Sequence, residues 1–84
     1  MYQVILEVSA RRDLKKLDKQ AQRKVLDKLE GLRYDPRLGK PLVGNLAGIW
    51  SLRIGELRVL YRIFDQRLIV FILKIGNRKD VYDL

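Results

Sequence analysis

Arg53, Arg58 and Arg78, with Tyr61 and Tyr82, are gathered in the last third of the chain, and the sequence contains no histidine and no cysteine. A site built here has neither imidazole nor thiolate to move a proton or to hold a metal, so its chemistry rests on guanidinium charge, lysine and phenol. The planar fork of a guanidinium matches phosphate oxygens, which makes phosphate the natural ligand. Unperturbed tyrosine titrates near ~10 and arginine above roughly 12. Neither is a ready proton shuttle at neutral pH, and the set is better suited to stabilising charge that develops on an anion.

Strand periodicity fixes how two of these arginines meet. Trp50, Leu52 and Ile54 alternate with Ser51 and Arg53, and beyond Gly55-Glu56 the alternation resumes as Leu57, Val59, Tyr61 and Ile63 against Arg58, Leu60, Arg62 and Phe64. Two strands joined by Gly-X read as a hairpin with a type II′ turn, glycine supplying the positive φ. Ile54 then pairs with Leu57, and Arg53 falls opposite Arg58 on the face away from Trp50, Leu52, Val59 and Tyr61. Like charges facing each other in a sheet repel, whereas a phosphate dianion or a developing oxyanion uses both. Exposed strand residues are also charged simply to protect an edge, and the pair alone leaves both readings open. Gly76-Asn77-Arg78-Lys79 follows an apolar strand, where glycine allows a sharp exit that carries Arg78 over the adjacent sheet surface.

The elements that must position these residues are legible in outline. Tyr2, Val4, Leu6 and Val8 alternate as a half-buried strand, and Ser9 reads as a helix N-cap. Ala10, Leu14, Leu17, Ala21, Val25, Leu29 and Leu32 recur at steps of three and four, with Arg11, Lys15, Lys16, Lys19, Arg23, Lys24 and Lys28 left for the exposed surface. Asp18 can cap a second helix, so the stretch is one long helix or a helical hairpin. Tyr34-Asp35-Pro36 stops it, and Arg37 to Gly48, with three glycines and Pro41, is a surface connection. Asp65-Gln66 marks a turn, Leu68 to Ile75 is apolar enough for a central or doubly covered strand, and Arg78 to Leu84 is a short tail or one helical turn. The expected architecture is a small α+β domain spanning 1–84, its helical region packed on an antiparallel meander.

Eighty-four residues suffice for one helix-on-sheet core. Eighteen Lys and Arg against ten Asp and Glu give a formal charge of +8, which favours RNA, DNA or an acidic protein as partner. Without cysteine there is no disulfide framework, in keeping with a reducing compartment. The start of the chain lacks a basic segment and cleavage site, and the longest apolar run, Leu68 to Leu73, is too short for a bilayer. The expectation is a soluble cytoplasmic protein.

At these residues the chain resembles the RelE toxins of bacterial and archaeal toxin–antitoxin pairs, within the wider RelE/ParE superfamily. The resemblance runs through Ser-Ala-Arg-Arg-Asp-Leu-Lys-Lys-Leu from Ser9, Tyr34-Asp35-Pro36, the stretch Gly48 to Gly55, Leu57-Arg58-Val59-Leu60-Tyr61, and Ile75 to Tyr82. It implies an endonuclease that needs no metal or cofactor, cleaves mRNA in the ribosomal A site, and is neutralised by an acidic RelB-like antitoxin in a heterodimer or heterotetramer. The family's strand arginine falls on Arg58, its Gly-x-Arg arginine on Arg78 and its C-terminal tyrosine on Tyr82. The basic residues of the preceding strand fall on Ser51 and Arg53, so Ser51 puts a hydroxyl where RelE-like enzymes often have lysine.

The implied reaction is attack of a message 2′-OH on its own 3′ phosphate, giving a 2′,3′-cyclic phosphate and a free 5′-OH. Arg58 and Arg78 would hold the phosphorane oxygens, Arg53 would neutralise the leaving side, and Tyr82 would act as base or stack on a flanking nucleotide. Arg11, Arg12, Lys15, Lys16, Lys19, Arg23 and Lys79 would contact RNA or ribosome. Two other classes compete: a ParE-like toxin that poisons DNA gyrase by binding alone, and a plain basic RNA-binding module. For the last, Trp50 and Tyr61 face the core and leave few stacking platforms.

Overall fold

The computed structural model describes residues 1–77 and Val81. A five-stranded sheet carries two helices on one face, in the order β1 (Gln3–Leu6), α1 (Val8–Lys16), α2 (Lys19–Leu32), β2 (Lys40–Pro41), β3 (Trp50–Ile54), β4 (Leu57–Phe64) and β5 (Ile69–Asn77). The strands lie as β1-β5-β4-β3-β2. The meander β3-β4-β5 is antiparallel as expected, while β1 joins β5 in parallel; the helical pair carries the chain from β1 at one edge of the sheet to β2 at the other, and the meander brings it back beside β1. Among the described residues no helix is long and apolar enough to cross a membrane.

The helical stretch is a hairpin of two helices. Asp18 caps the second, its carboxylate accepting from the Ala21 amide at 2.8 Å. The expectation for Ser9 is corrected: Glu7 is the N-cap of α1 and accepts from the Ser9 amide, while Ser9 lies inside the helix. The reason lies at the sheet edge. Strand β1 stops at Leu6, opposite Ile72, and leaves the rest of β5 without a neighbouring strand on that side. Helix α1 covers that open edge: the Glu7 amide donates to the Ile72 carbonyl at 2.9 Å, the Ser9 hydroxyl reaches the Leu73 carbonyl at 3.5 Å, and Asp13 accepts from the Ile75 amide at 3.0 Å.

The core lies between helices and sheet, where Ala10, Val25, Leu29 and Leu32 pack on Leu52, Val59, Tyr61, Val70, Ile72 and Ile75, with Trp50 half-buried against them. This is the face the alternation assigns. A second, smaller cluster of Ile49, Leu60 and Val81 lies on the opposite face, bordered by Leu42, Leu46 and Leu73. The supposed surface connection after α2 contains the short edge strand β2 and a 3-10 turn at Gly44–Leu46. The last strand starts one residue later than its apolar run, because Leu68 ends a turn with φ of 54°.

Candidate functional site

In the hairpin, Ile54 pairs with Leu57 and Arg53 with Arg58, as the alternation requires. Gly55 has φ of 60° and Glu56 is not in the left-handed region, the signature of the expected II′ turn. Neighbouring strands are about 4.8 Å apart, so the two guanidinium stems rise side by side from the face opposite the helices. Arg53 donates from Nε to the Gly55 carbonyl at 3.1 Å. Among the described residues the ion pairs are Arg33–Glu30 and Arg37–Asp65, so no described carboxylate neutralises Arg53 or Arg58. Two like charges side by side with no described counterion favour an anion between them.

Register adds two cations that sequence reading missed. Lys40 pairs with Ser51, Ser51 with Leu60, and Leu60 with Lys74, which makes a row across four strands beside the row of Arg53, Arg58 and Gly76. Strict alternation from Val70 and Ile72 would send Lys74 into the core. A β-bulge in β5 opposite Leu60/Tyr61 leaves Leu73 as the extra residue and turns Lys74 to the outer face. A lysine at an apparent core position of an apolar strand is the signal that could have revealed the bulge. Lys40 carried no such signal, since its pairing with Ser51 is purely tertiary.

Glycine at position 76 has a different role from the one expected. The strand runs straight through it to Asn77, and its φ is not in the left-handed region. A Cβ there would stand 3.2 Å from Cγ1 of Val81, so glycine leaves room for Val81, which is fully buried on Leu60 and Ile49. Arg78, Lys79 and Tyr82 lie outside the described residues. Arg11, Arg12, Lys15, Lys16, Lys19 and Arg23 are all exposed on the helices, on the other side of the sheet from the arginine pair, and are not brought together with it.

The edge of the site is fixed from beneath. The Tyr61 hydroxyl donates to the Pro36 carbonyl at 2.9 Å and accepts from the Gly39 amide at 3.0 Å. Burial pushes the Tyr61 phenol above its usual value, and it remains a donor across the physiological range. Nearby, Asp65 accepts from the Tyr2 hydroxyl and from Arg37, both at 2.6 Å, and these bonds hold its carboxyl below the usual carboxylate value. Leu38, Leu42, Lys40, Ser51, Arg53 and Arg58 line an open depression of about 450 Å³ over β2, β3 and β4. Its arrangement can bind a phosphate-bearing strand and stabilise added negative charge there.

Known proteins share both sequence and fold with this chain. The family model described as ParE toxin of the type II toxin–antitoxin system parDE matches residues 4–82. Toxin RelG of Mycobacterium tuberculosis is 43% identical over 83 residues, covering 96% of this chain and 95% of RelG. Toxin RelE of the same organism is 36% identical over 83 residues, covering 96% and 86%. The toxin–antitoxin complex RelBE2 from M. tuberculosis contains a chain that superposes with a TM-score of 0.86 at 42% identity, covering 92% of this chain and 98% of that one. The isolated E. coli RelE toxin, at 20% identity and a TM-score of 0.79, covers 98% of this chain and 92% of its own and shares the fold.

Proposed function

We propose, for a chain that belongs to the RelE family of type II toxins within the RelE/ParE superfamily, a ribosome-dependent mRNA endonuclease held inactive by a cognate antitoxin. The observation that carries this reading is the facing pair Arg53 and Arg58, without a described carboxylate partner, on the sheet face that the helices leave open.

In this reading the 2′-OH of a message nucleotide attacks the adjacent phosphorus. The 2′-OH gives up its proton as the new O–P bond closes a 2′,3′-cyclic phosphate, the P–O5′ bond breaks, and the 5′-oxygen takes up a proton and leaves as a hydroxyl. Arg58 meets the phosphoryl oxygens as negative charge accumulates, Arg53 beside it neutralises the leaving side, and Arg78 and Tyr82 take the roles the family resemblance implies. General acid–base catalysis normally contributes on the order of 10²–10⁴ in rate. A site of arginines and tyrosine is poor in that respect and depends on alignment, which a ribosome supplies by holding the message. The antitoxin partner is an acidic RelB-like chain that covers the arginine face, since a +8 toxin attracts it at long range.

The match to a ParE description gives specific weight to a second reading, gyrase inhibition by binding. One experiment separates the two: purified protein is added to ribosomes programmed with a defined message, and in parallel to gyrase in a supercoiling reaction. The nuclease reading expects fragments ending in 2′,3′-cyclic phosphate and 5′-OH with supercoiling unaffected. Intact message with loss of supercoiling contradicts it.

A further inference from the structure

The depression beside the arginine pair holds a third cation, on a segment that the hydroxyl of Tyr61 fixes in place. Gly39 approaches β3 so closely that a Cβ would fall 2.5 Å from the Ser51 carbonyl oxygen and 2.8 Å from the Tyr61 hydroxyl. With its amide bonded to that hydroxyl at 3.0 Å, Gly39 sets the register of the next residue, Lys40, which lands opposite Ser51. Lys40 itself is exposed, belongs to no described ion pair, and lines the same depression as Arg53 and Arg58. It is one strand from Ser51, the position where a hydroxyl stands in place of a cation.

We infer that Lys40 is an RNA-binding residue of the nuclease site, holding the phosphate next to the one that Arg53 and Arg58 take; this rests on the nuclease reading. Residues two apart on a strand are separated by about 7 Å. The Lys40–Ser51 row therefore lies one such step along β3 from the Arg53–Arg58 row, far enough for the two rows to grip successive phosphates of one strand. A lysine acts there as a flexible point charge, not as a bidentate fork. Its contribution is affinity and register on the message, with little effect on the rate once the message is seated. With the neutral Ser51 at the centre of the row, the charge moves one strand outward to Lys40.

The test uses the full chain on programmed ribosomes. Single-turnover cleavage is measured against protein concentration for the parent, Lys40→Met, Lys40→Arg and the double variant Lys40→Met/Ser51→Lys. Binding to ribosomes carrying a 2′-deoxy A-site codon, which cannot be cleaved, is measured across a salt series. The expected result for Lys40→Met is an apparent affinity about tenfold weaker, a saturating rate within about twofold of the parent, and a salt slope shallower by ~0.7, the value for one phosphate contact on a single strand. Lys40→Arg keeps parental affinity, and Ser51→Lys restores most of the loss by returning a cation to the row. An unchanged melting temperature for Lys40→Met separates charge from folding. Parental affinity and salt slope for Lys40→Met, with an active parent, overturn the inference and leave the nuclease reading intact. A parent that leaves the message whole overturns both.

Discussion

Strand β4 carries the two faces of the molecule one residue apart. Val59 and Tyr61 point to the helices, fully buried, in a layer where the Tyr61 hydroxyl is the polar group and both its bonds are made. Arg58, on the opposite face between Arg53 and Gly76, has no described carboxylate partner. Folding explains the first face and, on the second, the small cluster around Leu60, but it leaves the arginine pair unexplained, since facing guanidinium groups cost stability until an anion arrives. Within β4 the pleat thus separates Val59 and Tyr61, which hold the fold, from Arg58, which packing does not explain, and substitutions at the two should fail in different ways.

The largest effects belong on the open face. Arg58→Ala should lower message cleavage roughly 10²–10³-fold, the usual cost of one donor to a developing oxyanion, with thermal stability kept or slightly raised as the repulsion from Arg53 is relieved. Arg78→Ala is expected to match it on the strength of the family resemblance, and Arg53→Ala to be milder because its neighbour still holds the phosphate. Single-turnover rates with melting curves check all three.

Tyr61→Phe crosses the boundary between the faces. Removing the hydroxyl strips the Gly39 amide and the Pro36 carbonyl of their partner, and leaving such buried groups unpaired costs about 1–3 kcal/mol. Urea unfolding should show that loss, and cleavage should weaken as Lys40 loses its fixed place. Parental affinity with reduced stability would mean that β2 stays docked without the phenol.

Asp13→Ala probes the opposite edge of the sheet. It removes the acceptor for the Ile75 amide where β1 no longer covers β5, and the expected cost is about 1 kcal/mol, the net worth of a typical hydrogen bond. Hydrogen exchange should rise at Ile75 while Val59 stays protected; uniform exchange would show that α1 guards the edge without this carboxylate.

The smallest expected effect is on pH dependence. Because Tyr2 and Arg37 hold the Asp65 carboxyl below its unfolded value, its contribution is present above about pH 4 and is lost as pH falls through the lower folded value. Asp65→Asn should therefore flatten acid unfolding slightly, and a steeper acid limb than the parent's would reverse the assignment.

What the sequence made legible was whatever follows from local period and turn chemistry. The Gly55-Glu56 turn and the alternation on either side placed Arg53 opposite Arg58, and Asp18 capped its helix as its side chain dictates. Contacts distant in sequence were not legible. Ser9 had the better cap chemistry, but the open edge of β5 drew its hydroxyl toward Leu73 and left the cap to Glu7. The bulge at Leu73 reversed the face of Lys74, and a hydroxyl on β4 decided where Lys40 would lie. Lys40 was therefore hidden in a pairing that local pattern does not encode, and Lys74 behind a bulge that only its charge within an apolar run betrayed.

The central claim, that the face away from the helices carries the nuclease chemistry, is tested most directly by comparing Arg58→Ala with its neighbour Val59→Ala on programmed ribosomes, with cleavage expressed per folded molecule. The account predicts that Arg58→Ala keeps or slightly raises the parental unfolding midpoint and loses cleavage, while Val59→Ala, which leaves a cavity among core residues, loses stability by about 1–3 kcal/mol and cleaves at the parental rate. Arg58→Ala cutting messages as fast as the parent would contradict it.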